Sequence, residues 1–324
     1  MSTLFNPAAD EVVHSASAFK SILRILCATD LSPRSERAVQ RAVTLARQLD
    51  ALLLLLHVVD ERQSPDIIGY RVDRARSTLE MQGKEAVNLD ISVRVGDPYK
   101  TIGQVSKQWD ADLVILGSYR KRSGDQFFGT TAERVVRMAD RAVLIVNRNP
   151  ITPYRDVLLA SDMSDTFVSI ARMTEDLGLL AGARVSIVHG LGQVDRVMLY
   201  SAGVSEPHVA TYVQSLRESS RHEILAQIDA TGMDSSRFMV IQQHTTPFLA
   251  IERGVTATKP QLLVIGASRH PALKRLLGRS TANEVLRRVA CDVLVASPAA
   301  VQQIRRIRAP RPAVVDLGST TVTP

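Results

Sequence analysis

Short apolar runs alternate along this chain with longer segments whose apolar residues fall three or four apart. The runs have the character of buried strands, and the spaced segments that of helices with one buried face. Residues 21–28 predict the first strand, ended by Thr29 and Asp30. Ser32 then offers a helix cap with Pro33 at the first helical position. Ala38, Val39, Ala42, Leu45, Ala46 and Leu49 form the apolar stripe of that helix. Residues 52–59 predict a second strand, 66–85 a short helix with a loop, 91–95 a third strand and 99–109 the next helix. The fourth strand, 113–116, is followed by Gly117, a polar loop carrying Arg120, and Gly129. Thr130-Thr131-Ala132-Glu133 has the spacing of a capping box. Val135, Val136, Met138, Ala139 and Ala142 give the following helix its apolar face, and 143–146 is a fifth strand.

The same order then returns. Residues 157–160 are a strand ending in Ser161-Asp162, and Ser164 caps a helix expected to reach 180. Strand 184–188 ends at His189, strand 262–265 at Gly266, and strand 293–295 follows a helix over 280–290. Asp30 and His57 correspond to Asp162 and His189 at an offset of 132, whereas Pro98 and Gly117 correspond to Pro247 and Gly266 at 149. The second copy therefore carries 17 extra residues (149 less 132), which lengthen a helix over 209–228. Two copies of one alternating strand–helix unit predict parallel sheets with helices on both faces. The boundaries expected are a lead-in over 1–19, a first domain over 20–149, a linker over 150–153, a second domain over 154–299 and a disordered basic tail over 300–324. The closing strands, 143–146 and 293–295, are apolar on both faces, so each needs a partner. They predict that the repeats pair with each other about a pseudo-two-fold axis.

Composition narrows this picture more than it extends it. The chain has 324 residues, 45% hydrophobic and 23% charged, which suits two globular units. Two cysteines, Cys27 and Cys291, lie in or beside strands of different repeats and support neither a disulfide framework nor a zinc site. The longest apolar run, 51–56, is too short to span a membrane. The first 18 residues lack the pattern of a secretory signal, and a cytoplasmic location fits. The net charge of +7 is carried by arginines interspersed with acids. Scattered surface arginine explains it better than a nucleic-acid-binding face.

The candidate chemistry lies at the strand ends. A loop that leads into a helix N-terminus presents backbone N–H groups and the positive end of the helix dipole to an anion. ILCATD and VLLASD on the first strands, LLHVVD and IVHGL on the second, DLVILGS and QLLVIGAS before the loops, and GTTAERVV and STANEVL after them occur in one order twice. In this the chain resembles a tandem universal stress protein over roughly residues 19–298. The resemblance implies an α/β fold of two doubly wound, five-stranded parallel-sheet domains of the adenine nucleotide alpha hydrolase-like kind. Some members of that family bind ATP with a loop patterned Gly-x2-Gly-x9-Gly-Ser/Thr. Carried over, the resemblance implies a first-repeat site at Ala28, Thr29, Asp30, Val58, Leu116, Gly117, Arg120, Gly129, Thr130 and Thr131. In the second repeat it implies Asp162, Ile265, Gly266, Ser280 and Thr281. The Asp would meet the adenosine end and the hydroxyl residues the phosphates. Both loops depart from the pattern. Arg120 and Arg269 stand in place of the second glycine, and Arg279 falls where the third belongs in the second repeat. The first repeat, which keeps Gly129, is the better candidate for ATP.

The function expected is that of a non-enzymatic stress-response factor whose partners are its own second repeat, a second copy of the chain and an adenine nucleotide, with no membrane. A scaffold that binds no nucleotide, or a nucleic-acid-associated protein using surface arginine, is the alternative. A weak ATPase is the lesser one, since no Gly-x4-Gly-Lys-Ser/Thr loop is present. His57 and His189 recur at strand ends, where packing and hydrogen bonding account for them better than acid–base chemistry.

Overall fold

The computed structural model describes residues 23–33, 35–62, 64–118, 130–138, 140–149, 153–192, 201–266, 285 and 288–305. In the first repeat the apolar runs form β1 (Arg24–Thr29), β2 (Leu52–Val59), β3 (Leu89–Val95), β4 (Leu113–Gly117) and β5 (Ala142–Val146). Between them lie α1 (Glu36–Leu49), α2 (Pro65–Gly83), α3 (Pro98–Gln108) and α4 (Thr130–Met138). The second repeat supplies β6 (Asp156–Ser161), β7 (Arg184–Gly190), β8 (Phe238–Gln243), β9 (Leu262–Gly266) and β10 (Asp292–Ala296). Its described helices are α5 (Asp165–Asp176), α6 (Glu206–Asp229) and α7 (Pro247–Thr258), with α8 (Pro298–Arg305) after the last strand.

The strands make one ten-stranded sheet in the order β3-β2-β1-β4-β5-β10-β9-β6-β7-β8. The two five-stranded sheets read from the sequence are its halves. Neighbours are parallel within each half, and β5 and β10 join the halves antiparallel, with Leu144 opposite Leu294. Central strands of a parallel sheet are covered on both faces, which is why β1, β5 and β10 are buried along their whole length. Side chains of α1, α2, α5 and α6 pack into one core cluster and those of α3, α4 and α7 into the other. The repeats are therefore related by a pseudo-two-fold axis normal to the sheet. One consequence is that the C-terminal strand ends of the first repeat lie at one end of the sheet, and those of the second repeat at the other.

Several elements differ from the sequence expectation. Residues 65–83 are one continuous 19-residue helix rather than a short helix with a loop. Only Ala75, Leu79 and Gly83 of it are buried, so its apolar periodicity is faint. The insertion does lengthen α6, to 24 residues. Helix α5 stops at Asp176, short of 180, because Gly178 takes a φ of +71° against the Leu49 side chain of α1. The tail expected to be disordered from 300 begins with α8, whose Ala300 and Val301 are buried against α5. The lead-in, residues 150–152, residues 306–324 and most of the helix expected over 280–290 lie outside the described residues. Cys27 and Cys291 are buried without a disulfide, and burial pushes the Cys27 thiol up. No described helix is long and apolar enough to cross a membrane.

Candidate functional site

In an open parallel sheet, ligands bind beyond the C-terminal strand ends where the strand order reverses. In the first repeat that point lies between β1 and β4: the chain leaves β1 toward β2 and β3, and returns through α3 to β4 and β5. Ala28 pairs with Leu116 across it, and both are buried. Gly117 pairs with Val146, and the next N–H, of Ser118, reaches the Val146 carbonyl at 3.1 Å. Val58 sits half-buried one strand away on β2. Helix α4 starts at Thr130, which puts its N-terminus at this same end of the sheet, with Thr131 half-buried in its first turn.

The turn after β1 is tightly determined. The Leu31 N–H donates to Thr29 Oγ1 at 3.0 Å, and the Ser32 N–H donates to Asp30 Oδ1 at 3.0 Å. Thr29 Oγ1 also shares a hydrogen bond of 2.8 Å with Ser35 Oγ. Ser32 Oγ accepts from the Ser35 N–H at 3.3 Å, but α1 begins at Glu36 with Ser35 at its N-cap position, three residues later than the Ser32 cap expected from sequence. Leu31 adopts a φ of +60°. For a bulky side chain that conformation costs on the order of 1–2 kcal/mol, so the surrounding bonds must hold it. The result is an Asp30 carboxylate exposed at the mouth of the crevice. Partial burial pushes its pKa up, but hydrogen bonds from the Ser32 and Ser35 side chains and from the Ser32 backbone outweigh this. The group stays below the ordinary carboxylate value and is ionised at neutral pH.

The second repeat makes the same turn. The Met163 N–H donates to Ser161 Oγ at 3.1 Å, the Ser164 N–H to Asp162 Oδ1 at 3.1 Å, and Met163 has a φ of +58°. Ser164 caps α5 through the Phe167 N–H at 3.3 Å. The two histidines also match: Nδ1 of His57 lies 2.8 Å from the Thr29 carbonyl, and Nδ1 of His189 lies 2.9 Å from that of Ser161. A carbonyl can only accept, so each ring carries its proton on Nδ1 and ties its strand end to the neighbouring turn.

Of the residues read from sequence, Ala28, Thr29, Asp30, Leu116 and Gly117 converge on the first switch point, with Val58 beside them. Asp162, Ile265 and Gly266 converge on the second, where Ile265 is buried and Asp162 and Gly266 are exposed. Arg120, Gly129, Ser280 and Thr281 lie outside the described residues, as do Arg269 and Arg279. The sequence reading missed Leu31, Met163 and Ser35. Serines spaced three apart, Ser32 and Ser35, were the only local signal.

This double geometry agrees with the comparisons to known proteins. The model of the universal stress protein family matches residues 22–147 and again 153–297. Universal stress protein A homolog 2 of Coxiella burnetii is 32% identical over 136 residues, which is 38% of this chain and 93% of that protein. Universal stress protein G of Salmonella typhimurium is 27% identical over 126 residues, 35% of this chain and 88% of its own length. Among solved structures, a universal stress protein from Archaeoglobus fulgidus superposes with a TM-score of 0.65 at 17% identity, covering 85% of this chain and 98% of that one. The curated relatives each match about one repeat, whereas the Archaeoglobus structure matches the pair. With its family model matched twice in succession, this chain belongs to the universal stress protein family as a tandem of two such domains.

Proposed function

We propose that the chain is a cytoplasmic, non-enzymatic stress-response factor that binds an adenine nucleotide, ATP in the first instance, at the crevice of its first repeat. The turn over Thr29–Ser32 carries this reading. It spends backbone strain to hold an ionised acceptor, Asp30, where α/β sheets of this kind take ligands. Such a carboxylate accepts from ribose hydroxyls. The N-terminal turn of α4 would face the phosphates. The first repeat is favoured because Gly129 precedes its α4, whereas Arg279 stands at that place in the second and its Cβ would crowd a backbone cradle. A scaffold that binds no nucleotide is the second reading, and it rests on Arg120 and Arg269 standing where the family loop has glycine.

Calorimetric titration of ATP into the parent, Asp30→Ala, Asp162→Ala and Gly129→Arg proteins tests the proposal. Loss of the Asp30 acceptor leaves the ligand hydroxyl that it would accept from without its partner, at about 1–3 kcal/mol, roughly a tenfold or greater loss of affinity. Gly129→Arg should abolish binding, and Asp162→Ala should change little. Absence of heat with the parent protein favours the scaffold. Equal weakening by Asp30→Ala and Asp162→Ala removes the preference for the first repeat. Phosphate release followed in the same samples separates binding from ATP hydrolysis.

A further inference from the structure

The seam between the repeats is pseudo-symmetric in its strands but not in its side chains. At the end where β5 finishes and β10 begins, Asp292 is completely buried. Its Oδ1 accepts from the Asn147 and Arg148 N–H groups at 2.9 and 3.1 Å, and its Oδ2 accepts from the Tyr154 hydroxyl at 2.8 Å. Arg41 of α1, also buried, brings Nε to 3.3 Å from Oδ2 and lays its guanidinium over the Tyr154 ring at 4.3 Å. The Asn147 side-chain amide donates to the Cys291 carbonyl at 2.6 Å. Burial, and then the charge of Asp292, push the Tyr154 hydroxyl well above its ordinary pKa, so it remains a donor. The bonds from Asn147, Arg148 and Arg41 join the first repeat to the second, whereas the Tyr154–Asp292 bond lies within the second repeat and holds the carboxylate in place.

At the symmetry-related end the residues are Ala142 in place of Asp292, Met173 in place of Arg41, and Ser297 and Pro298 in place of Asn147 and Arg148. Met173 and Ala142 are both buried there, and neither carries a charge of its own. A second mismatch lies between α1 and α5. Leu49 packs into the space that Gly178 leaves open, and the corresponding pair is Ala181 and Ala46.

We propose that this seam is a pairing key: the β5 edge of the first repeat fits the β10 edge of a second repeat, and neither edge fits a copy of itself. If two first repeats paired through β5 in the same register, Arg41 would face Ala142 of the other copy. Two guanidinium groups would then be buried without their carboxylate, and Leu49 would meet a methyl group at Ala46 instead of a glycine. If two second repeats paired through β10, Asp292 would keep Tyr154 of its own repeat but would face Met173, Ser297 and Pro298, losing the guanidinium and one of its two N–H donors. Proline has no N–H to give, and thioether sulfur has none either. A buried charge that loses its partner is far costlier than an apolar contact that replaces both partners, so each like pair is penalised twice. The partner that this surface selects is therefore the unlike repeat, of its own chain or of another copy.

The test begins from the folded full-length protein with a protease site introduced at 150–152. The cleaved protein is unfolded in urea, refolded by dilution, and its pairs are read by native mass spectrometry. More than about nine-tenths of the pairs should contain one of each repeat; a statistical one-to-two-to-one distribution overturns the proposal. Arg41→Met with Asp292→Ala gives both ends of the seam the same apolar residues. Like pairs should then rise toward the statistical share, and unchanged pairing would show that these residues are not the key. The intact chain provides a second reading that needs no separated halves. Asp292→Ala should lower the thermal midpoint by several degrees, and adding Arg41→Met should recover at least half of that loss; recovery of none overturns the match.

Discussion

The ends of β1 and β6 make one turn from different residues, Thr29-Asp30-Leu31-Ser32 and Ser161-Asp162-Met163-Ser164. Hydroxyl, carboxylate and left-handed backbone coincide to within 0.1 Å in their bonds and 2° in φ. The two ends of the seam, by contrast, share strand register and little else: a buried ion pair and three hydrogen-bond donors around Asp292 at one, the apolar residues Ala142 and Met173 at the other. Duplicated surfaces that face solvent or ligand can stay alike because each acts alone. Surfaces that face each other are under a different physical demand, since identical halves would pair with any copy. The difference places the individuality of the repeats at their contact and their common ancestry of form at their mouths.

The largest effects should ask whether the repeats behave as one body. Leu55 on β2 and Ile187 on β7 are both completely buried at corresponding places. Leu55→Ala and Ile187→Ala should each cost about 2–5 kcal/mol. With a continuous sheet, each should lower a single calorimetric transition; two separate transitions would mean that the halves unfold independently. Next comes the contact between α1 and α5. Gly178→Ala meets both a left-handed backbone and the Leu49 side chain, and should cost about 2–4 kcal/mol. Gly182→Ala has a similar φ but open space around it and should cost about 1–2 kcal/mol in urea unfolding. Equal losses would remove Leu49 from the account.

Smaller effects sharpen the likeness of the turns. Ser32→Ala and Ser164→Ala each remove an acceptor that holds an N–H three residues on at 3.3 Å, and each should cost about 1 kcal/mol. A gap of more than about twofold between them would show that the extra turn over Ser32–Ser35 changes the cap. Asp30→Ala should have the mildest effect, visible in its pH dependence. Because the folded carboxylate titrates below its ordinary value, its contribution is full above the unfolded pKa and is lost as pH falls through the folded one. The parent should therefore exceed the variant by a constant margin near neutrality, and the margin should close in acid. Urea titrations from neutral to strongly acidic pH would record it, and a margin that does not move would assign the turn's stability to backbone geometry alone.

The strands were legible because parallel sheets bury both faces, and runs such as 52–59 or 262–265 have no other stable use. Proline and serine marked the starts of α3 and α5 for equally local reasons. What escaped was whatever depends on distance. Asp292 reads as a polar residue opening a strand, and nothing near it names Arg41 as its partner. Helix α8 hid behind the charge of residues 305–311, although Ala300 and Val301 were the apolar pair that docks it. Helix α2 is solvent-exposed over most of its length and leaves almost no stripe to detect. At the mouths, Thr29, Asp30 and Gly117 were expected together because the family resemblance carried them over as a set, and the structure does bring them to one switch point. The positive φ of Leu31 and Met163 was not, since nothing in a leucine or a methionine asks for it.

Because β5 and β10 run in opposite directions, the two crevices open away from each other, about 15–20 Å of strand apart at the rise of a five-residue strand. A macromolecule standing at one end of the sheet has no view of the other. The Asp30 and Asp162 mouths therefore lie at opposite ends of one sheet. The repeats touch through the central pair of β5 and β10 and through α1, whose Arg41 and Leu49 reach Asp292 and Gly178 of the second repeat.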